Sequence, residues 1–372
     1  MEVVLATHSL GVGGSESYLL TIGEHLQRLG HDVTLSVVET GEFADLAADR
    51  GLRVVDNDRD LPDSCEALLA QDGIVSLALA DRYPTTPQVF RASSDVFDFQ
   101  LPPQLPGIVS AIVCVSERVA RRVRALALEC PVVRLRHPID TVRFSSLREL
   151  PERPRRVVAL SNYLSGRRLN IAREACDRVG LDLQIVGGAS KTLATPAALA
   201  EADIVVAKGR AALEAMACGR ATYVFDVFGH DGWVTPDSYA ALEADGFAGL
   251  AHGAVVETDR MERDLRAYDP RMGPVNRDLI LLHHRAQDHV QELVSLFRSL
   301  SPRVPLPSGQ LRELAHMARV SRQFQMQAWE LQGMYGALSR RMAALETHQR
   351  SRRYRWADRL AGPIDIVRRR KR

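Results

Sequence analysis

At 372 residues, with 46% hydrophobic and 25% charged positions, the chain is long enough for two packed domains and has the composition of a folded globular protein. No apolar run approaches the roughly 18 residues that a membrane-spanning helix needs. The opening Met1-Glu2-Val3-Val4-Leu5-Ala6-Thr7 reads as a strand rather than a secretion signal. Cys65, Cys114, Cys130, Cys176 and Cys218 are odd in number and scattered without CxxC spacing, which argues against a disulfide frame or zinc site and fits reduced thiols in a cytoplasmic protein.

The net charge of +2 hides an asymmetry. From residue 350 onward ten basic residues face two acidic ones, a local +8 that leaves −6 for the remainder. Lysine occurs only at Lys191, Lys208 and Lys371, so Lys208 stands out in a chain that otherwise uses arginine.

Strand and helix signals alternate through residues 1–145. Val3–Thr7 is a short apolar strand followed by the loop Gly11-Val12-Gly13-Gly14. A helix begins near Ser15, with Tyr18, Leu19, Ile22, Leu26 and Leu29 at helical spacing and Gly30 as its stop. Val33–Val38 is the next strand, then come a helix over Phe43–Arg50 and an extended Leu52–Val55. Glu66–Gln71 reads as a helix, Ile74–Leu79 as a strand, and Gln88–Phe90 and Ile108–Val115 as further strands. Ser116 caps a helix running to Leu128, and Val132–Leu135 is extended. Such an order predicts a parallel sheet with helices on both faces.

Residues 146–156 are polar, charged and proline-bearing, and read as a linker. The pattern restarts over 157–275: strand Val157–Leu160, helix Leu169–Val179, strand Leu183–Val186 leading into Gly187-Gly188, strand Ile204–Val206, helix Ala211–Cys218, strand Thr222–Phe225. Two doubly wound α/β domains in tandem would face each other across a cleft at the carboxyl ends of their strands. Residues 276–300 read as one long closing helix. Over 310–349 an apolar seam (Leu314, Met317, Ser321, Phe324, Ala328, Leu331, Tyr335, Leu338, Met342, Leu345) alternates steps of three and four, which predicts a coiled coil or a helical hairpin, the coiled coil through a homodimer. Residues 350–372 mix Tyr354 and Trp356 with arginines. That basic amphipathic tail suits an anionic inner leaflet, and nucleic acid is not expected because no nucleic-acid module accompanies it.

The chemistry-bearing residues cluster after strand ends. Gly11-Val12-Gly13-Gly14-Ser15-Glu16 puts glycines where backbone must turn or approach a ligand, and the following helix N-terminus suits an anion. Val113-Cys114-Val115-Ser116-Glu117 and His137-Pro138-Ile139-Asp140-Thr141-Val142-Arg143-Phe144 lie further on. In the second domain Ala202-Asp203, a strand and a loop lead into Leu213-Glu214-Ala215-Met216-Ala217-Cys218-Gly219. In their order and spacing these segments resemble the signatures of the family 4 retaining glycosyltransferases: GGxE, VSE, NGVDxxxF and LEAMACG.

The resemblance implies a GT-B fold, two Rossmann-like doubly wound domains facing a cleft, here with a C-terminal helical extension. It implies transfer of a sugar from a nucleotide sugar to a glycan, lipid-linked or small-molecule hydroxyl, in bacterial envelope glycan or glycolipid synthesis. Glu214 is expected at the cleft rim to accept hydrogen bonds from ribose hydroxyls, with the amides around Arg210, Ala211 and Ala212 near the diphosphate. Gly13, Gly14, Gly187 and Gly188 let backbone approach the donor, and Asn162, Arg167 and Arg168 stand where the family clamps phosphate. The family's other glutamate falls, by counting, on Val206, so Lys208 and Arg210 become the candidates for stabilising the departing diphosphate. Asp95, Lys208 and His230 are the candidate catalytic residues, with Asp231 beside His230 in a cleft loop. His8, Glu16, Arg91 and Asp95 are the candidate acceptor residues. No Asp-x-Asp pair is evident, so neither a metal nor another cofactor is expected. Two rivals share the fold: a nucleotide-sugar 2-epimerase, and a catalytically weak scaffold derived from a glycosyltransferase.

Overall fold

The computed structural model describes residues 1–94, 97–145, 148–187, 195–253 and 256–350. Asp95, Gly188 and the tail 351–372 lie outside the described residues. Met1–His316 form one compact unit, and the chain from Met317 forms a second.

The first half of the compact unit runs β1 (Glu2–Ser9), α1 (Gly14–Arg28), β2 (Asp32–Glu39), α2 (Phe43–Asp49), β3 (Arg53–Val55), β4 (Ala67–Ala70), α3 (Gly73–Arg82), β5 (Gln88–Ala92), β6 (Ala111–Cys114), α4 (Glu117–Arg124) and β7 (Val132–Arg134). Its seven strands pair in the order β3-β2-β1-β4-β5-β6-β7, every pair parallel. Strands buried on both faces read as continuous apolar runs, as Val3–Ala6 and Ala67–Ala70 do, each wholly inside.

The second half runs β8 (Arg156–Leu160), α5 (Gly166–Val179), β9 (Asp182–Val186), α6 (Thr195–Glu201), β10 (Ile204–Ala207), α7 (Gly209–Ala217), β11 (Ala221–Phe225), β12 (His230–Trp233), α8 (Pro236–Asp245), α9 (Thr258–Arg266) and α10 (Met272–His283). Its sheet order is β12-β11-β10-β8-β9, parallel except for the antiparallel edge strand β12. Strand order reverses between β1 and β4 in one sheet and between β8 and β10 in the other. Those two crevices, at the carboxyl ends, are where doubly wound sheets take ligands.

The chain then returns to the first sheet. Helix α11 (Ala286–Ser299) places Val290, Leu293, Val294 and Phe297 in the same core as Leu5, Leu19 and Ile22. Residues 276–300 are therefore two helices rather than one. The break has a cause: Ile139 N–H donates to His284 O at 2.7 Å and Ala286 N–H to Ile139 O at 3.0 Å, so Arg285 is extended and bridges to Ile139 in the crossing segment 137–144 between the two halves.

Two further expectations are reversed. Glu66–Gln71 contains strand β4, and Ile74–Leu79 lies in helix α3. Asp72 starts that helix, its side chain accepting from the Ile74 and Val75 amides at 3.0 Å. Helix α12 (Ser308–Arg350) follows the 301–307 segment. Its first turns are tied down by buried Leu311 and Ala315 and by an Arg312–Asp81 ion pair of 3.1 Å. No described helix is long and apolar enough to cross a membrane.

Candidate functional site

Three neighbouring strand ends build the centre of the site. In register, Ala207 of β10 lies between Leu160 of β8 and Val224 of β11. The residues just beyond those ends, Ser161, Lys208 and Asp226, therefore converge. The Ser161 hydroxyl donates to both Asp226 carboxylate oxygens at 3.1 Å and accepts from the Tyr163 and Leu164 amides at 3.0 Å, which fixes the loop into α5. Lys208 Nζ stands 3.7 Å from Asp226 Oδ2 and over two aromatic rings, 3.9 Å from the Phe228 centroid and 5.1 Å from that of Tyr163. Burial lowers the Lys208 pKa, while Asp226 pulls it back up.

Phosphate-binding candidates surround this cluster. Arg167 is exposed on the first turn of α5, and Arg168 beside it is half-buried, its pKa lowered by burial and by Arg167 and opposed by Asp226. Asn162 Nδ2 donates to Val12 O at 3.4 Å, joining the second domain to the first glycine loop. Gly187, at φ +121°, sits where a Cβ would collide with Ser161 O, so only glycine fits that approach. The N-cap residues Gly13, Ser165 and Lys208 of α1, α5 and α7 make no side-chain cap bond, the Glu16 carboxylate taking an amide of the first turn of α1, whereas Asp72, Ser116 and Thr235 cap α3, α4 and α8. Helices α1 and α7 also meet end to end, a Cβ at Gly14 falling 3.6 Å from Arg210 Cβ. Converging N-terminal amides, those near Ala211 included, favour an anion.

Glu214 and Arg210 are placed differently from expectation. Both are buried in the seam between the domains rather than on the cleft rim. Arg210 Nε donates to Glu214 Oε1 at 2.9 Å, Nη1 to Pro138 O at 2.8 Å and Nη2 to Thr21 Oγ1 at 2.8 Å. Its guanidinium thus ties α7 to α1 and to the crossing segment, and does not stand open for a diphosphate. Burial raises the Glu214 carboxyl, with Arg210 the main opposing charge.

Val206 is inside β10, paired with Ala159 and Tyr223 and 1% exposed. Helix α7 starts immediately after Lys208, so β10 and α7 are joined by that single residue.

His230 is removed from the catalytic set. It is fully buried in β12, bonded to the Tyr223 hydroxyl at 2.5 Å and packed on the Phe225 ring. Asp231 is also inside, accepting from the Ala251 and His252 amides at 3.2 and 3.0 Å. Residues 230–233 form an edge strand rather than a loop able to close on a sugar.

On the first sheet the candidate acceptor residues gather at the β1/β4 crevice. His8 N–H donates to Asp72 Oδ2 at 2.7 Å, and His8 Nε2 lies 3.3 Å from Glu39. Glu16, in the first turn of α1, accepts from the Ser15 hydroxyl at 2.9 Å. Burial raises its carboxyl, while Ser15 and Arg91 act to lower it. Arg91 is 1% exposed, its guanidinium on Gln71 Oε1 and Ser93 Oγ and 3.9 Å over the Tyr18 ring. It organises the strand ends from beneath instead of offering itself to an acceptor.

Asp226, Ser161 and Tyr163 complete a site of which sequence reading singles out Lys208, Arg167, Arg168, Asn162 and Gly187. An acidic residue directly after an apolar strand, as Asp226 follows Thr222–Phe225, is the available signal.

No protein-family model matches the chain, and no curated protein matches it in sequence. Among solved structures it is similar to HepE of Anabaena. Against HepE with UDP and glucose the TM-score is 0.55 at 12% identity, covering 81% of this chain and 100% of that one. Against HepE with UDP the TM-score is 0.55 at 13% identity, and with UDP-glucose it is 0.53 at 14%, with the same coverage. Two parallel-sheet α/β domains whose strand ends face one another, with the closing helix α11 returned to the first, give this chain the GT-B glycosyltransferase fold, extended by the C-terminal helix α12.

Proposed function

We propose that this chain is a nucleotide-sugar-dependent glycosyltransferase that moves a sugar to a hydroxyl acceptor. The observation carrying this reading is the convergence of Lys208, Asp226 and Ser161 at the switch point of the second sheet, beside Arg167, Arg168 and the uncapped ends of α5 and α7. A diphosphate calls for that combination of cations and free amides. The UDP and UDP-glucose complexes of HepE, which shares the fold, support a nucleotide-sugar donor.

Lys208 takes the leaving-group role. As the bond from the anomeric carbon to the diphosphate oxygen breaks, negative charge builds on that oxygen, and a preplaced ammonium stabilises it without reorganisation. The reading extends, on the resemblance to family 4, to retention at the anomeric carbon, to metal-independent chemistry and to envelope glycan or glycolipid acceptors. The tail 350–372 is assigned to an anionic inner leaflet on its +8 charge.

A second reading, nucleotide binding without turnover, draws on the closed Arg210–Glu214 pair, which leaves that carboxylate engaged within the protein. A thermal-shift screen with UDP, UDP-glucose and other nucleotide sugars, followed by an assay for released nucleotide with hydroxyl acceptors, separates the two. Ligand at about a hundred times its Kd raises stability by roughly 2.7 kcal/mol. Stabilisation with acceptor-dependent release supports transfer, stabilisation without release supports the second reading, and no stabilisation by any nucleotide overturns both.

A further inference from the structure

We propose that residues 314–345 of α12 form a parallel, in-register, two-stranded coiled coil with a second copy of this chain. Four observations on the helix carry it. The residues at alternating three- and four-residue steps share one face, and on it Met317, Phe324, Leu331, Tyr335, Leu338, Met342 and Leu345 are all exposed, Tyr335 by 74%. A helix of 43 residues that leaves such a stripe to water lacks the partner its pattern specifies.

Charge along the stripe selects a second copy. Writing Leu314 as position a, the flanking e and g positions from Ala318 to Ser339 are Ala318, Val320, Gln325, Gln327, Gln332, Met334 and Ser339, all uncharged, so two copies meet there without like-charge repulsion. Arg312, Arg319, Arg322 and Glu330 fall at b, c or f and face outward. The charged flanks are Glu313 at g and, at the other end, Arg341 at g and Glu346 at e of the next heptad. In a parallel pair Arg341 and Glu346 face each other across the seam, giving two symmetric ion pairs, while Glu313 faces the uncharged Ala318. An antiparallel pair instead sets Arg341 toward the Glu313–Val320 end, and a Leu338→Cys cross-link distinguishes the two.

Core shape agrees. Leucine occupies d at Leu331, Leu338 and Leu345, a choice compatible with two strands, while the small Ser321 and Ala328 at a alternate with the larger d residues. Gly333 and Gly336 fall at f and b, so neither opens a hole in the seam.

The test is the mass of the full chain in solution by light scattering at micromolar concentration. The expected result is twice the 41.2 kDa chain mass, with Leu331→Glu/Leu338→Glu monomeric and its nucleotide-induced thermal shift unchanged. Arg341→Glu should weaken the dimer by about fivefold through the lost and reversed pairs, and adding Glu346→Arg should restore it. Leu338→Cys should cross-link between copies under mild oxidation, as only a parallel register brings two copies of residue 338 together. A monomer throughout, a dimer that survives the double glutamate variant, or a Leu338→Cys chain that does not cross-link would each overturn the proposal. None of these outcomes bears on the nucleotide site, so the two readings fail separately.

Discussion

Arg210 and Glu214, one helical turn apart on α7, form a buried pair of 2.9 Å whose cation also reaches Thr21 and Pro138 across the domain seam. Such a pair is costly to break because the surviving charge is stranded away from water. Arg210→Ala should lower stability by about 3 kcal/mol, measured by urea unfolding at neutral pH. Glu214→Ala should also destabilise, and the double variant should lose clearly less than the two single losses added together. Additive losses would mean that the two groups do not interact.

Lys208 gives the direct test of donor binding. A charge-assisted contact to phosphate contributes about 1.5–3 kcal/mol. Lys208→Ala should therefore weaken UDP binding at least tenfold and reduce turnover further, because charge on the leaving oxygen is greatest in the transition state. Lys208→Arg should recover part of the affinity but little turnover, since a planar, delocalised guanidinium stacked on the Tyr163 and Phe228 rings does not place a compact point charge where the ammonium stands. Calorimetry and nucleotide release measure the two effects. Unchanged affinity and turnover in Lys208→Ala would remove the role assigned to this residue.

Gly229 connects the site to the frame behind it. Its carbonyl accepts from the Asp226 amide at 3.1 Å, and a Cβ added there would meet the Gly249 carbonyl where the two loops cross. Gly229→Ala must push the loops apart, at a cost on the order of 1–3 kcal/mol, and should shift Asp226 and Phe228 with them. Lower stability accompanied by weaker UDP binding is expected, with thermal unfolding and calorimetry as the readouts.

The sequence carries the fold more clearly than the site, for physical reasons that particular residues display. Helix α1 declares itself by Tyr18, Leu19, Ile22 and Leu26 at helical spacing, all of which are buried. Strand β4 does not, because Ala67-Leu68-Leu69-Ala70 is covered on both faces and shows neither alternation nor β-branching, while the Ile74-Val75 start of α3 imitates a strand. The sign that distinguishes them is Asp72, an N-cap placed directly before the helix. At the site, Lys208 is legible by its rarity, but its partners Asp226, Tyr163 and Phe228 lie 18, 45 and 20 positions away and converge only through the register of β8, β10 and β11.

The histidines that close the domain crossing predict how stability depends on pH. The His284 imidazole pairs through Nδ1 with His137 O at 2.8 Å and through Nε2 with the Tyr239 hydroxyl at 2.9 Å; His289 does the same with Arg136 O at 2.7 Å and the Tyr18 hydroxyl at 2.9 Å. With Nδ1 donating to a carbonyl, Nε2 is free to accept from the phenol, an arrangement that suits the neutral form favoured by burial. Burial, reinforced by nearby arginines, lowers His284 to about 4 and His289 to about 3. In the unfolded chain both return to about 6.5, so between these values the unfolded state binds more protons than the folded one. Stability is then fully present above pH 6.5 and falls as the pH drops toward 4, by about 2–3 kcal/mol per ring at pH 4.5. Denaturant unfolding from pH 7.5 to 4.5 should show that decline. His289→Gln, whose amide donates and accepts without titrating, should be less stable at neutral pH yet lose less on acidification. An equal acid loss in that variant would assign the decline to other groups.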